Sequence, residues 1–171
     1  PAIRRQAVLS LGELPASPRV KALAQFASKG TQAQGVDEAL ISGLAGSEID
    51  FLKQLTNPLH NGAQSTVRLA VETVVNRGNA DEVAAALDLL LAPSSDPVFA
   101  KAIIAGFESH THGKDDARRR LKLPVEPTAL EKYAGKGNAA LARKANALLE
   151  LIDGPAAQAA GPQVIPLTDV E

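Results

Sequence analysis

The sequence contains no cysteine, no methionine and no tryptophan, and only 3% of its residues are aromatic. Without cysteine, the chain cannot form disulfides, thiolate zinc sites, iron–sulfur clusters or a cysteine nucleophile. The scarcity of aromatic rings argues against surfaces that stack on bases or sugars. The formal net charge is −1, which argues against non-specific binding to nucleic acid or membranes, because both need a basic excess.

The remaining composition is typical of one folded domain. Apolar residues make up 45% and charged residues 22% of the 171-residue chain, which is long enough to enclose a hydrophobic core. Alanine and leucine are frequent, and both favour helices. Because no apolar run is long enough to span a bilayer, we expect no membrane insertion. Residues 1–14 do not have the pattern of a signal peptide.

An internal repeat is the most informative feature of the sequence. Similar four-residue segments recur at intervals of 32, 31 and 32 residues, beginning at Ala7, Ala39, Ala70 and Ala102. A further copy around Ala145 is out of step, which indicates an insertion between Phe107 and Asn138. A period of this length is typical of stacked helical hairpins.

Each repeat divides into two amphipathic helices. The first helices are predicted to start near residues 2, 36, 66 and 97, and apolar residues follow helical spacing in them, as at Val67, Ala70, Val71, Val74 and Val75. The second helices are shorter. Because a single hairpin cannot bury its apolar stripe, the hairpins are predicted to stack.

The predicted fold is an all-α, right-handed α-solenoid, or α-α superhelix, of about four and a half helical hairpins over residues 1–153. Residues 154–171 are rich in Pro, Gly and Ala, which break helices, and are predicted to form an extended C-terminal linker.

Signals of helix ends and of close packing accompany the repeat. Ser17–Pro18 and Asp96–Pro97 each place an N-cap oxygen before a proline. Asn79 with Glu82, and Ser47 with Asp50, have the spacing of capping boxes. Three glycines inside the first helices favour close helix contact, with a hinge as the alternative; they are Gly12, Gly43 and Gly106.

Potential metal ligands cluster at one place. His110 and His112, followed by Asp115, have the donor types of a zinc site. A solvated polar loop explains the same residues, and no further ligand pattern supports a metal. We therefore expect no metal site and no cofactor.

A basic run follows directly. Arg118, Arg119 and Arg120 form a candidate patch for an anion or a protein partner. Acidic residues precede them, which is also the charge order that a short helix prefers. The sequence has no nucleophile motif, no P-loop and no dinucleotide-binding motif, so we expect no catalytic residues and no small-molecule substrate.

Three segments carry a resemblance to a known family: residues 36–52 (VDEALISGLAGSEIDFL), 77–90 (RGNADEVAAALDLL) and 162–171 (PQVIPLTDVE). They resemble the HEAT-type, armadillo-like helical-repeat region of large secreted bacterial dehydrogenase–cytochrome proteins. In that family a similar Pro-rich stretch leads into a c-type cytochrome domain, and a β-propeller precedes the repeats. The resemblance implies HEAT-like hairpins and a periplasmic or secreted location. The family's haem-binding Cys-x-x-Cys-His motif has no match here.

Three functions compete. The chain is a non-catalytic spacer that positions a dehydrogenase module relative to a cytochrome module, or a scaffold whose concave face binds a peptide or protein. A metal protein or enzyme that uses His110 and His112 is the third. A binding groove would cluster apolar or single-sign residues on the second helices. The charges there are mixed, which favours the spacer.

Overall fold

The computed structural model describes residues 2–29, 35–55, 61–92, 96–111, 119–136 and 139–159. The α-helices in these ranges are α1 (Ala2–Gly12), α2 (Ala16–Ser28), α3 (Val36–Leu44), α4 (Glu48–Gln54), α5 (Gln64–Arg77), α6 (Ala80–Asp88), α7 (Pro97–Glu108), α8 (Thr128–Lys136), α9 (Ala139–Leu149) and α10 (Pro155–Ala159). Three short 3-10 helices span Asn61–Ala63, Leu89–Leu91 and Ser109–Thr111. The protein is mostly helical, as predicted. No helix within the described ranges is long and apolar enough to cross a membrane.

The helices pack in two rows. Helices α1, α3, α5, α7 and α9 contact one another in that order and form the odd row. Helices α2, α4, α6 and α8 form the even row in the same way. The rows meet where α2 contacts α3, α4 contacts α5, and α8 contacts α9. The first helices of the hairpins begin at residues 2, 36, 64 and 97, within two residues of the predicted positions.

The core runs between the two rows. On α5, the predicted stripe is fully buried at Val67, Ala70, Val71 and Val74, and half-buried at Val75. The stripe of α7 is buried in the same way and contributes two of the largest core side chains, Phe99 and Phe107. These two stripes are therefore confirmed, and apolar surface removed from water is the main source of stability in such a stack.

Two of the four predicted helix caps are confirmed. The Asp96 carboxylate accepts a hydrogen bond from the Phe99 N–H (2.7 Å), and the Asn79 side chain accepts from the N–H groups of Asp81 and Glu82. The cap at Ser17 was wrong, because α2 already begins at Ala16. Pro18 is tolerated as the third residue of the helix, since the first four N–H groups of a helix have no intrahelical partner.

Ser47 is the N-cap residue of α4, as predicted, but its side chain forms no capping hydrogen bond, so the predicted capping box does not form. The neighbouring Glu48 carboxylate accepts from the Gly46 N–H instead (3.4 Å). At the other end of a helix, Gly78 ends α5 in a left-handed conformation.

The interior glycines mark close helix crossings. Gly12 on α1 and Gly43 on α3 meet face to face, and a Cβ on Gly12 would lie 3.2 Å from the Gly43 Cα. A Cβ on Gly106 would lie 2.6 Å from the Val71 Cβ and 2.9 Å from the Arg68 carbonyl oxygen. The close-packing interpretation is confirmed for all three glycines.

The C-terminal part of the described chain differs from the extended linker predicted from residue 154. Residues 155–159 form α10, and just before it β2 (Ile152–Asp153) pairs in parallel with β1 (Leu121–Lys122). Contacts distant in sequence hold this short helix. Glu126 accepts a hydrogen bond from the Ala156 N–H (2.6 Å), and Gln158 donates to the carbonyl oxygens of Leu123 and Asp153. The rest of the predicted linker, 160–171, lies outside the described residues.

Candidate functional site

The residues considered as metal ligands do not form a described site. His110 lies in the 3-10 helix that follows α7, where it is half-buried, and its Nε2 has no hydrogen-bond partner among the described residues. His112 and Asp115 lie outside the described ranges. Within those ranges, no group of three or more His, Cys, Asp or Glu side chains is placed to hold a metal ion.

The candidate arginine patch is partly described. Arg118 lies outside the described residues, and the Arg119 side chain is exposed. Arg120 forms an ion pair with Asp153, with Nε 2.8 Å and a terminal nitrogen 2.5 Å from Oδ1. These hydrogen bonds lower the pKa of the Asp153 carboxyl. The charge of Arg120 is thus balanced within the strand pair, where it joins β1 to β2.

The sequence analysis did not predict a polar cluster between two hairpins, in which one carboxylate is buried. The Glu48 side chain on α4 is only 3% exposed, and its Oε2 lies 2.7 Å from a guanidinium nitrogen of Arg77 at the end of α5. Arg77 also pairs with Glu82 on α6 (2.6 Å). The Glu48 contact is the main cause that raises the pKa of Arg77. One guanidinium therefore joins the second hairpin to the third.

Similar polar contacts cross the other boundaries between hairpins. The Arg19 guanidinium on α2 donates to the carbonyl oxygen of Leu44, at the end of α3 (3.3 Å). Asp37 on α3 accepts hydrogen bonds from Ser65 and Thr66 on α5. Further along the odd row, Ser109 donates to Glu72 on α5, and Lys144 on α9 lies 3.9 Å from Glu108 on α7. Each pair of successive hairpins is thus joined by at least one polar side-chain contact.

Two open grooves lie side by side between α2 and α4, on the even row. One encloses about 400 Å³ and is lined by Ala16, Ser17, Val20, Ser47, Asp50, Lys53 and Gln54. The other encloses about 600 Å³ and is lined by Lys21, Ala24, Gln25, Ser28, Lys29 and Gln54. Gln54 borders both, so together they follow the length of α2. We call them the α2–α4 groove.

A smaller groove of about 340 Å³ lies in the odd row between α5 and α7, and is lined by Gln64, Ser65, Arg68, Lys101, Ala102 and Ala105. Its charged side chains are both basic. Arg68 is paired with Glu72 on its own helix (3.3 Å), which balances part of that charge.

The structure also sorts charges that looked mixed in the sequence. The even row begins with α2, which carries basic side chains and no acidic one. Its third member, α6, carries acidic side chains and no basic one. Helix α4 lies between them and carries both signs. The even row therefore has a basic helix at one end and an acidic helix two places further along. This arrangement depends on the order in which the helices pack.

Comparison of the chain with protein-family models, with curated proteins and with solved structures found no match in any of the three.

Proposed function

We propose that this chain is a non-catalytic spacer domain built as a right-handed solenoid of HEAT-like hairpins. The observation that carries the proposal is the continuity of the stack. One hydrophobic core extends from Val8 on α1 to Ile152 on β2, and polar side chains join each hairpin to the next. A stack joined in this way resists bending at the hairpin boundaries, and its number of repeats sets its length. A fixed separation of two modules requires both properties.

In this proposal the two modules are a dehydrogenase and a c-type cytochrome in the bacterial periplasm, as in the dehydrogenase–cytochrome proteins that the sequence resembles. The spacer supplies geometry alone, and the chemistry belongs to the flanking modules. The sequence that follows Glu171 tests this assignment. A Cys-x-x-Cys-His motif encoded soon after Glu171 supports it, and an unrelated domain there contradicts it.

The rigidity can be measured directly because the chain contains no cysteine. Spin labels on Arg5→Cys and Ala147→Cys, both at exposed positions on the first and last helices of the odd row, report the end-to-end distance by pulsed electron paramagnetic resonance. We expect a single narrow distance distribution. Labels on Arg5→Cys and Ser42→Cys, on neighbouring helices of the same row, give the width due to the labels themselves. A markedly broader end-to-end distribution would contradict the spacer.

A peptide- or protein-binding scaffold is the second candidate, and the α2–α4 groove favours it. Gln54 borders both parts of the groove and is exposed, so Gln54→Trp would block it without disturbing the core. Peptides selected by display on the wild-type chain should lose binding to Gln54→Trp and keep binding to Gln64→Trp in the α5–α7 groove. Equal binding to both variants would exclude the α2–α4 groove as the site.

A further inference from the structure

Helix α2 presents a basic stripe to solvent. Lys21, Gln25 and Lys29 are exposed and follow one another at four-residue spacing, which places them on one face of the helix. Lys29 directly follows the last residue of α2 and keeps a helical backbone. All three side chains line the part of the α2–α4 groove that encloses about 600 Å³. The stripe therefore offers two positive charges at the edges of a cleft.

Helix α6 presents a matching acidic stripe. Asp81 and Asp88 are exposed and lie seven residues apart, which is two helical turns. Ala84 and Ala85 lie between them on the same face and are half-buried. The stripe thus has a carboxylate at each end and a small middle that allows another helix to approach closely.

The two stripes match in length as well as in sign. At 1.5 Å per residue, the lysines of α2 are separated by about 12 Å along the helix and the aspartates of α6 by about 10.5 Å. The two stripes fit in either orientation, because each is symmetric about its middle. None of the four charged side chains forms an ion pair with another residue in the described ranges. Their charges are therefore available to a partner.

The stripes are separated within one chain, because α4 lies between α2 and α6 in the even row. We propose that two copies of this chain associate through their even rows, about a two-fold axis that passes along α4. In that arrangement α2 of each copy faces α6 of the other, so that four complementary contacts form at once. The Ala84–Ala85 ridge of one copy then faces the Lys21–Lys29 stripe of the other.

A second copy is the occupant that the charges favour. A two-fold interface requires both complementary surfaces on the same chain, on either side of a common centre, and the even row has this arrangement. With a net charge of −1, two copies do not repel each other strongly. The inference does not depend on the spacer function, since a spacer can form such a dimer, whereas a peptide bound in the α2–α4 groove would compete with it.

Sedimentation velocity of charge-reversed variants tests the proposal. The wild-type chain should dimerise at about 0.02 M salt and dissociate at about 0.5 M, where charges are screened beyond a few ångströms. The double variant Lys21→Glu with Lys29→Glu, and the double variant Asp81→Lys with Asp88→Lys, should each bind themselves at least about tenfold more weakly, because like charges then face each other. An equimolar mixture of the two variants should restore the dimer, because both of its α2–α6 contacts again join opposite charges.

A matched control is Arg4→Glu with Lys101→Glu, which reverses two exposed charges on the odd row and should dimerise like the wild type. All the reversed side chains are exposed, so helix content by circular dichroism should not change. A wild-type chain that stays monomeric at low salt would overturn the proposal. Dimers that survive both reversals, or a mixture that fails to restore association, would overturn it as well.

Discussion

Helices α1 and α7 hold the same place in their hairpins but are buried to very different extents. Helix α1 has eleven residues, of which only Val8 is buried, and Ile3 is 86% exposed. Helix α7 has twelve residues and seven of them are buried. Both sequences have apolar residues at helical spacing, so periodicity does not explain the difference.

The difference follows from the number of neighbours. Helix α7 is packed between α5 and α9 in the odd row, whereas α1 contacts α3 on one side and α2 across the row. The apolar stripe of a helix is buried where it faces a second neighbouring helix, and it remains exposed to water where it faces no helix. In two packed rows of helices, the energetic weight of an apolar residue therefore depends on the position of its helix in the row.

Val71→Asp should be the most destabilising change. Val71 is fully buried on α5, which is enclosed by α3 and α7 in the odd row. An unpaired carboxylate at this site should lower the free energy of unfolding by at least about 3 kcal/mol. Ile3→Asp on α1 introduces the same group at an exposed site and should change it by less than about 0.5 kcal/mol. Urea unfolding followed by circular dichroism measures both, and similar losses would refute the rule.

Arg77→Met should have the next largest effect, because it leaves the Glu48 carboxylate buried without its ion-pair partner. We expect a loss of about 2–3 kcal/mol in the free energy of unfolding, the range for a buried charged group left unsatisfied. The control is Arg68→Met, which removes an i,i+4 pair on the surface of the same helix and should cost at most about 0.5 kcal/mol. Equal effects of the two variants in thermal unfolding would mean that Glu48 does not depend on Arg77.

Gly106→Ala tests the close contact between α5 and α7. The new methyl group would overlap Val71 and the Arg68 carbonyl oxygen, so one helix must shift. Alanine is the better helix former, but overpacking should outweigh that gain and cost about 1–2 kcal/mol. Gly135→Ala in α8 is the control, because nothing lies within 4 Å of its new methyl group. It should stabilise the protein by about 0.5 kcal/mol, and the two glycine variants should thus shift the melting temperature in opposite directions.

The sequence predicts those features of the fold that depend on residues close together in the chain. The stripes of α5 and α7 repeat within one helix, and Asp96 and Asn79 cap helices through hydrogen bonds to residues two or three positions away. The parallel pairing of Leu121 with Ile152 joins residues far apart in the chain through strands of two residues. Strands that short have no periodic pattern, so the sequence did not indicate them.

The same distinction between local and distant contacts applies to the charged stripes of the even row and to the Glu48–Arg77 pair. The spacing of Lys21, Gln25 and Lys29 is visible in the sequence, but the relation of this stripe to α6 depends on the order of helices in the even row. Glu48 occupies the first turn of a helix, where acidic residues are usually exposed and interact with the helix dipole. It is buried because Arg77 of the next hairpin reaches it, and the spacing along α4 alone contains no sign of that contact.

The smallest effect is expected at the C-terminal end of the described chain, where a strand pair and α10 follow α9. Hydrogen bonds from Arg120 lower the pKa of Asp153 below its ordinary value. Such a carboxyl stabilises the fold above its unfolded-state pKa, and the contribution is lost as the pH falls through the lower folded-state value.

Asp153→Asn should therefore unfold more readily than the wild type at pH 7, and the difference should disappear under acidic conditions. Urea unfolding of both proteins, from pH 7 down to the pH at which the Asp153 carboxyl is protonated, measures the difference in their free energies of unfolding. Because the pair is near the surface, high salt should reduce the difference at pH 7. A difference between Asp153→Asn and the wild type that did not depend on pH would mean that the carboxyl acts through its packing instead of its charge, and that the two strands are held together mainly by their backbone hydrogen bonds.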